Sequence, residues 1–269
     1  MSDQVFDVAV LGAGPGGYAA AFRAADLGLA TALIEPHATL GGVCLNVGCI
    51  PSKALLSVAS TLRAARALAQ HGVSFGEPNI DLDALRASKD RTVRRLTTGL
   101  AALAKVRKVE VIRGHGRFVS DHEIEVAPDG AAPATGAGVR RLRFAHCIIA
   151  VGSSALRVPG LPDDPRVLDS TGALALPDVP TRMLVVGGGI IGLELATVYA
   201  ALGSEIHIVE AQDRLMGPVD ADLVEVWRKH NAKSVGPIMQ ATRIESAETT
   251  PDGILVRFAG AHGSAEPVL

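Results

Sequence analysis

Short apolar runs alternate along this chain with longer stretches in which apolar residues recur every three or four positions. Short runs bounded by turn residues are typical of buried strands, and the three- and four-residue spacing is typical of helices packed on one face. Strands are therefore predicted at 6–11, 31–34, 109–112, 123–126, 142–149, 183–186 and 206–209, with a hairpin at 242–260. Helices are predicted to end at Gly28 and Leu202, and to cover 54–70 and 82–105.

One arrangement of these elements occurs twice. Strand 6–11 leads into a glycine-rich turn at 12–17, a helix, strand 31–34 and Glu35. Strand 183–186 leads into a second such turn at 187–192, a helix, strand 206–209 and Glu210. The last glycine of the turn precedes the acid by 18 residues in both copies, since 35 − 17 and 210 − 192 are equal.

Each copy has the context that makes a G-x-G-x-x-G turn a dinucleotide-binding fingerprint. The glycines allow a tight turn, a close approach of the backbone to a pyrophosphate, and packing of helix on strand. The helix N-terminus offers free N–H groups to phosphate, and the acid can accept hydrogen bonds from a ribose hydroxyl. The alternative is a pair of helix-packing glycine clusters. The repeat predicts an α/β protein with two Rossmann-like dinucleotide-binding domains, the second incomplete at its C-terminus.

The predicted domain boundaries follow the repeat. The first domain covers 1–158 and the second covers 181–269, with the proline-rich stretch 159–180 as a linker. The Ala-, Gly- and Pro-rich stretch 128–138 is predicted to be a loop. Arg91, Arg94 and Arg95 are interpreted as the solvated face of the helix at 82–105.

Composition narrows the classes of partner. The 269 residues are 48% hydrophobic and fit two modules. A net charge of −2 gives no basic surface for nucleic acid or an anionic membrane, so neither partner is expected. The N-terminus lacks the pattern of a signal peptide, and no uncharged apolar stretch is long enough to span a membrane. A cytoplasmic location is expected.

The chemistry centres on two thiols, Cys44 and Cys49, in the run GGVCLNVGCIPSK after the first repeat. The pair is half of a metal site, two unrelated buried thiols, or a redox pair beside a nucleotide. A metal site needs further ligands, and Cys147, the remaining cysteine, lies in an apolar run. Pro51 suits the first turn of a helix, so Cys49 is predicted at a helix N-terminus, where a thiolate is stabilised. Lys53 is expected on the same helix face.

These motifs together resemble those of the flavin-dependent pyridine nucleotide-disulfide oxidoreductases, and the resemblance covers essentially the whole chain. It implies that Cys44 and Cys49 form a redox-active disulfide, in which Cys44 exchanges with a dithiol substrate and Cys49 contacts the flavin. The implied FAD site consists of Gly12, Gly14, Gly17, Glu35, Lys53, Gly116, Val151, Gly152 and Ser153. The implied NAD site consists of Gly187, Gly189, Gly192, Glu194, Glu210 and Ile244.

The resemblance is strongest to the branch of the family that oxidises dihydrolipoamide to lipoamide and reduces NAD+. Glu210 disfavours the NADP-dependent branches because it would repel a 2′-phosphate. Glutathione reductase-like and mercuric reductase-like activities are the alternatives within the family. The implied partner is the lipoyl domain of a 2-oxoacid dehydrogenase or related complex.

The family also implies a homodimer, whose interface domain supplies a catalytic base from the partner subunit. That domain and the second FAD-binding segment have no counterpart in this sequence, so slow or absent turnover is expected. The alternative outside enzymology is a catalytically incomplete FAD-binding fragment. No histidine is assigned as the base; the eight are at 37, 71, 115, 122, 146, 207, 230 and 262.

Overall fold

A computed structural model describes residues 5–128, 138–231 and 234–261. The chain divides into two compact units. The first consists of Met1–Pro51 and Asp90–Ser154, and the second of Ser52–Lys89 and Ala155–Leu269. The predicted loop at 128–138 lies outside the described residues between positions 129 and 137.

The first unit is built on six strands: β1 (Val5–Leu11), β2 (Thr31–Glu35), β3 (Glu110–Arg113), β4 (His115–Ser120), β5 (Glu123–Ala127) and β6 (Arg140–Ile149). They form one sheet in the order β3-β2-β1-β6-β5-β4. Strands β3, β2, β1 and β6 pair in parallel. The pairs β6–β5 and β5–β4 are antiparallel. The carboxyl ends of β1 and β2 are therefore adjacent, which is where ligands bind in open α/β sheets.

Helix α1 (Pro15–Asp26) connects β1 to β2, and the short helix α2 (Gly42–Val47) follows β2. The longer helices α3 (Cys49–Ala67) and α4 (Leu82–Val106) each begin in one unit and end in the other. Alternate residues of β1 enter two separate cores: Val8 and Val10 pack with Phe22 and Leu100, and Ala9 and Leu11 pack with Ile34. Burial on both faces explains the continuous apolar sequence of β1.

The second unit contains three parallel strands, in the order given: β7 (Arg182–Val186), β8 (Glu205–Val209) and β9 (Ile238–Met239). A hairpin of β10 (Thr242–Thr249) and β11 (Ile254–Gly260) follows, as predicted. The unit's own helices are α5 (Ser170–Ala175), α6 (Ile190–Leu202) and α7 (Ala221–Asn231). Its main core surrounds α6, where Leu193, Ala196 and Tyr199 are fully buried. The predicted α/β fold class is confirmed.

The stretch predicted as a linker, 159–180, contains helix α5. The Asp169 side chain caps this helix by accepting a 2.8 Å hydrogen bond from the Gly172 N–H. At the other end, Lys89 Nζ donates to Leu174 O at 2.9 Å, Arg86 donates to Leu176 O at 2.7 Å, and the Tyr199 hydroxyl donates to Ala173 O at 2.9 Å. These contacts hold α5 within the second unit, which includes the whole stretch. The role of the stretch as a linker stays a prediction.

The described part of the chain contains one helical stretch, Gly42–His71, that is long and apolar enough to cross a membrane by length and composition. The 18-residue window of this stretch that passes the test has a mean hydropathy of 1.4, and 28% of the window is buried. One such stretch is weak evidence for a span, because core helices of water-soluble proteins pass the same test. Two of its arginines pair with polar groups of the second unit, Arg63 with Asn231 Oδ1 and Arg66 with Ala201 O, both at 3.1 Å.

Candidate functional site

The first fingerprint turn lies at the carboxyl end of β1. Gly12 has a φ of +91°, and a Cβ there would lie 2.3 Å from Ala150 O. A Cβ on Gly17 would lie 1.7 Å from Gly12 O, so helix α1 packs against the turn only because this residue is glycine. Gly14 is the N-cap of α1 and Pro15 follows it, with no side chain capping the helix. The turn therefore presents the start of α1 in the form that binds phosphate.

Glu35 ends β2 beside this turn and is held by two backbone donors. Its Oε2 accepts a 2.8 Å hydrogen bond from the Ala13 N–H, and its Oε1 accepts one of 2.9 Å from the His37 N–H. The residue is 3% exposed. A buried carboxylate needs such donors, and here they fix its position next to the phosphate-binding turn.

The second fingerprint reproduces these contacts. Gly187 has a φ of +101°, and a Cβ on Gly192 would lie 2.4 Å from Gly187 O. Glu210 Oε2 accepts from the Gly188 N–H at 2.7 Å, and its Oε1 accepts from the Gln212 N–H at 2.8 Å. The repeat seen in the sequence therefore extends to individual hydrogen bonds.

The surroundings of the two copies differ. An open cleft of about 500 Å³ lies beside Glu210, lined by Gly189, Glu210, Gln212, Arg214, Met216, Gly217 and Pro218. A Cβ on Gly187 would meet nothing within 4 Å, whereas Gly12 is covered by Ala150. The reason is that β1 has a strand on each side, whereas β7 is an edge strand among the described residues.

Helix α2, which carries Cys44, begins directly against the first fingerprint turn. The Gly41 N–H donates to Ala13 O at 2.8 Å, and a Cβ on Gly42 would lie 2.7 Å from the Cα of Gly14. Both Gly41 and Gly42 have positive φ, +110° and +56°. The glycines before the first thiol therefore bring the thiol-bearing helix against the nucleotide-binding turn.

Cys44 is half-buried in α2, and Cys49 is exposed as the first residue of α3. Gly48 separates the two helices, and a Cβ there would lie 2.9 Å from Val43 O and 3.3 Å from the Cα of Cys44. A side chain at position 48 would therefore push α3 away from α2. The position of Cys49 at a helix N-terminus agrees with the prediction.

Lys53 and Glu194 were predicted in separate roles, and the structure brings them together. Lys53 Nζ and Glu194 Oε1 are 2.5 Å apart, and both residues belong to the second unit. The lysine side chain is 58% exposed. The ion pair therefore orients two charged groups more than it stabilises the fold.

The remaining predicted residues fall near the same two strand ends. Gly116 packs against the side chains of Leu11 and Ile34, where a Cβ would lie 2.5 Å from Leu11 Cδ2. Val151 is 70% exposed, and its Cα lies 3.0 Å from where a Cβ on Gly12 would be. Gly152 and Ser153 follow it. In the second unit, Ile244 packs in a cluster with Val209, the residue before Glu210.

Sequence reasoning missed three contributors to these sites: Asn46, the lining residue Arg214, and the peptide group of Ala13. Asn46 lies between the thiols and bonds to their supporting loop. The position of Arg214, four residues after Glu210, was the one feature of the sequence that could have indicated its place at this site. In the described ranges no three His, Cys, Asp or Glu residues are grouped so that they could hold a metal ion.

The first unit fits the adenosine and pyrophosphate of a dinucleotide such as FAD or NAD. The start of α1 is uncapped, a Cβ on Gly16 would meet nothing within 4 Å, and Glu35 is fixed beside the turn. The second unit has the same donors and an open cleft, which suits a nicotinamide dinucleotide.

Two dinucleotide-binding turns, with a thiol pair built onto the first, define a class of redox proteins that combine nucleotide cofactors with disulfide chemistry. The chain belongs to the pyridine nucleotide-disulphide oxidoreductase family, whose model matches residues 6–258. It is 49% identical over 260 residues to dihydrolipoyl dehydrogenase of Vibrio cholerae, covering 96% of this chain and 53% of that protein. It is 39% identical over 266 residues to leghemoglobin reductase of Vigna unguiculata, covering 98% of this chain and 50% of that protein.

Among solved structures, the HOCl-induced flavoprotein disulfide reductase RclA of Escherichia coli, in its Cu(II) complex, matches with a TM-score of 0.79 and 25% identity. The match covers 100% of this chain and 55% of that one. This chain therefore spans about half the length of the curated relatives it matches. The predicted family is confirmed.

Proposed function

We propose that this chain is the nucleotide- and thiol-bearing part of a dihydrolipoyl dehydrogenase, which oxidises dihydrolipoamide and reduces NAD+. The observation that carries the proposal is the hydrogen bond from the Gly41 N–H to Ala13 O, which fastens the thiol helix to the first nucleotide-binding turn. Relatives at 46–49% identity named dihydrolipoyl dehydrogenase support the choice of substrate. The partner is then the lipoyl domain of a 2-oxoacid dehydrogenase or related complex.

The proposed FAD-binding residues are Gly12, Gly14, Gly17, Glu35, Lys53, Gly116, Val151, Gly152 and Ser153. The proposed NAD-binding residues are Gly187, Gly189, Gly192, Glu194, Glu210 and Ile244. When bound, FAD supplies the two-electron chemistry that links a dithiol to NAD. Glu210 favours NAD over NADP, because its two carboxylate oxygens already accept backbone N–H groups and would repel a 2′-phosphate.

The two thiols have different roles in this proposal. Starting from the Cys44–Cys49 disulfide, a substrate thiolate attacks the sulfur of Cys44, a mixed disulfide forms, the Cys44–Cys49 bond breaks and Cys49 leaves as a thiolate. The second substrate sulfur then attacks the mixed disulfide and displaces Cys44. The two substrate sulfurs are now joined as a disulfide, and both cysteines are reduced. Cys49 suits its role because it is exposed as the first residue of α3. The cytoplasmic location and the homodimer remain predictions.

Two measurements on the purified chain test the proposal. Reconstitution with FAD should give oxidised-flavin absorbance, and dihydrolipoamide with NAD+ should give the near-ultraviolet absorbance of NADH only slowly, because no catalytic base is assigned in this chain. Bound FAD without turnover supports the alternative of a catalytically incomplete FAD-binding fragment. Turnover with glutathione disulfide and NADH, but not with dihydrolipoamide, would instead support a sibling disulfide reductase.

The thiol roles are tested by Cys49→Ser and Cys44→Ser in the FAD-loaded, dithiol-reduced chain. We expect Cys49→Ser to abolish the long-wavelength absorbance that a thiolate produces next to oxidised flavin, and Cys44→Ser to retain it. The two substitutions remove the same atom type, so each is the control for the other. Retention of the band in Cys49→Ser and its loss in Cys44→Ser would reverse the assignment.

A further inference from the structure

Asn46 lies between the two thiols and closes the loop that supports the first of them. Its Nδ2 donates hydrogen bonds to Gly42 O at 2.9 Å and to Leu40 O at 3.3 Å. Its Oδ1 accepts a hydrogen bond from the Thr39 hydroxyl at 2.7 Å. The carboxamide therefore uses both of its donor hydrogens and its acceptor within one short segment.

Helix α2 depends on such contacts because it is too short to be stable alone. It has six residues, begins at Gly42 directly after Gly41, both of which have positive φ, and has no side-chain cap at its N-terminus. A helix of this length does not persist without tertiary support. The bond from Asn46 to Gly42 O spans four residues, like a backbone helix bond, and the bond to Leu40 O ties α2 to the preceding loop.

Cys44 is the third residue of this helix, so the contacts of Asn46 determine how firmly its Cα is held. On the other side, Gly48 allows α3 to approach α2 closely, which places Cys49 at the start of the next helix. The equilibrium between two thiols and a disulfide depends on how well the fold holds the two sulfurs in bonding geometry. A looser α2 therefore lowers the effective concentration of one thiol at the other.

We propose that Asn46 is a positioning residue that sets the redox equilibrium of the Cys44–Cys49 pair by holding α2 in place. This inference rests on the proposed redox role of the thiols. It assigns the carboxamide no contact with substrate or cofactor.

Three variants separate the contributions of this side chain. Asn46→Asp keeps the acceptor for Thr39 but turns an oxygen toward two carbonyl oxygens, so both donated bonds are lost. Asn46→Ser is uncharged and too short to make both bonds, so it separates lost positioning from added charge. Thr39→Val is the matched control, because it removes the accepted hydrogen bond and leaves both bonds donated by Asn46 intact.

The experiment equilibrates the full chain with mixtures of reduced and oxidised glutathione, then alkylates it and measures the thiol and disulfide forms by mass spectrometry. When the pair is oxidised, glutathione disulfide accepts two electrons and two protons, and its S–S bond breaks. The Cys44–Cys49 bond forms as the two thiols lose them. The peptide that carries Cys147 is counted separately.

We expect Asn46→Asp and Asn46→Ser to lower the equilibrium constant for disulfide formation by about tenfold, which corresponds to about 30 mV. Thr39→Val should stay within about twofold of the unaltered chain. Circular dichroism identifies variants that fail to fold, and either Asn46 variant alone is sufficient for the comparison.

Equal constants in the unaltered chain and the folded Asn46 variants would overturn the inference while leaving the proposed function intact. Loss of the fold in both Asn46 variants would also overturn it, because Asn46 would then govern folding rather than the thiol equilibrium. If the unaltered chain forms no reversible disulfide, the proposed function fails, and the inference fails with it.

Discussion

Glu35 and Glu210 occupy equivalent positions but differ in exposure. Each accepts two backbone N–H groups, one from the fingerprint turn and one from the residue two positions further along. Glu35 is buried, whereas Glu210 is half-buried at the edge of a cleft. A carboxylate held in this way is preorganised, so a ribose hydroxyl would bind without reorganising the side chain.

Replacing these acids one at a time should separate the two cofactor sites. We expect Glu35→Ala to weaken FAD retention roughly tenfold to a hundredfold, and Glu210→Ala to weaken NAD binding by a similar factor, since each loses charged hydrogen bonds. Each variant should leave the other cofactor's affinity unchanged. Flavin fluorescence on dilution and NAD titration by calorimetry measure the two affinities. A loss of NAD affinity alone in Glu35→Ala would contradict the assignment.

At the residue scale, the sequence predicts side chains better than backbone groups. The glycines and acids of both fingerprints could be predicted because the chemistry requires those residue types at fixed spacing. The donors from Ala13 and His37 could not, because every residue except proline supplies an N–H group. Asn46 was missed for a related reason: an amide side chain between two cysteines has no periodicity to mark it.

The repeated element of this fold is a strand, a tight turn and a helix. In both copies the third glycine of the fingerprint lies against the carbonyl oxygen of the first, Gly17 against Gly12 and Gly192 against Gly187. This close approach sets the distance between helix and strand. The atom that a Cβ would meet is a backbone carbonyl oxygen, so it cannot move aside as the end of a flexible side chain could.

Gly17→Ala should destabilise the chain by about 3 kcal/mol or more, because its methyl group would overlap the Gly12 carbonyl. Gly16→Ala is the matched control, since a Cβ there meets nothing within 4 Å in the same helix turn. It should change stability by at most about 1 kcal/mol and in the stabilising direction, because alanine favours helix. Denaturant unfolding followed by circular dichroism measures both. Equal effects of the two substitutions would show that the contact does not limit packing.

Elements with strong apolar patterns could be predicted, and those without them could not. The strands of both repeats and helices α1, α3, α4 and α6 all follow the predicted order. Strand β4 was missed because every one of its residues is exposed, so it has no buried face to produce a pattern. Helix α5 was missed because it is six residues long and lies among prolines.

At the scale of the whole molecule, each unit has its own hydrophobic core. The domain boundaries predicted from the repeat concern cofactor binding, and they stay a prediction. In the folded chain, residues 52–89 pack with the second unit. That grouping was not visible in the sequence, because Arg63, Arg66 and Lys89 reach partners 85 or more positions away. Separate cores also mean that unfolding need not be a single transition.

Tyr199 provides a pH-dependent probe of the second unit. Burial, followed by the negative charge of Asp178, raises the pKa of Tyr199 to about 12. In the unfolded chain a tyrosine ionises near pH 10, so between these values the folded state binds more protons. Stability from this group is therefore complete below about pH 10 and is lost as the pH rises toward 12.

We expect Tyr199→Phe to cost about 1 kcal/mol near neutral pH, from loss of the hydrogen bond to Ala173 O. The difference in stability between the two proteins should shrink or reverse above about pH 10, where only the tyrosine form loses stability. Thermal unfolding from neutral to alkaline pH measures this difference, to which the groups common to both proteins contribute equally. A constant difference across the range would contradict the buried, proton-retaining hydroxyl.

Both backbone polar groups of Ala13 are bonded: its N–H donates to Glu35, 22 positions away, and its carbonyl oxygen accepts from the N–H of Gly41. Two successive peptide groups therefore join the phosphate-binding turn, the acid of β2 and the start of the thiol helix. All three lie within residues 12–47. The contacts that assemble this part of the site therefore close short loops at low entropic cost.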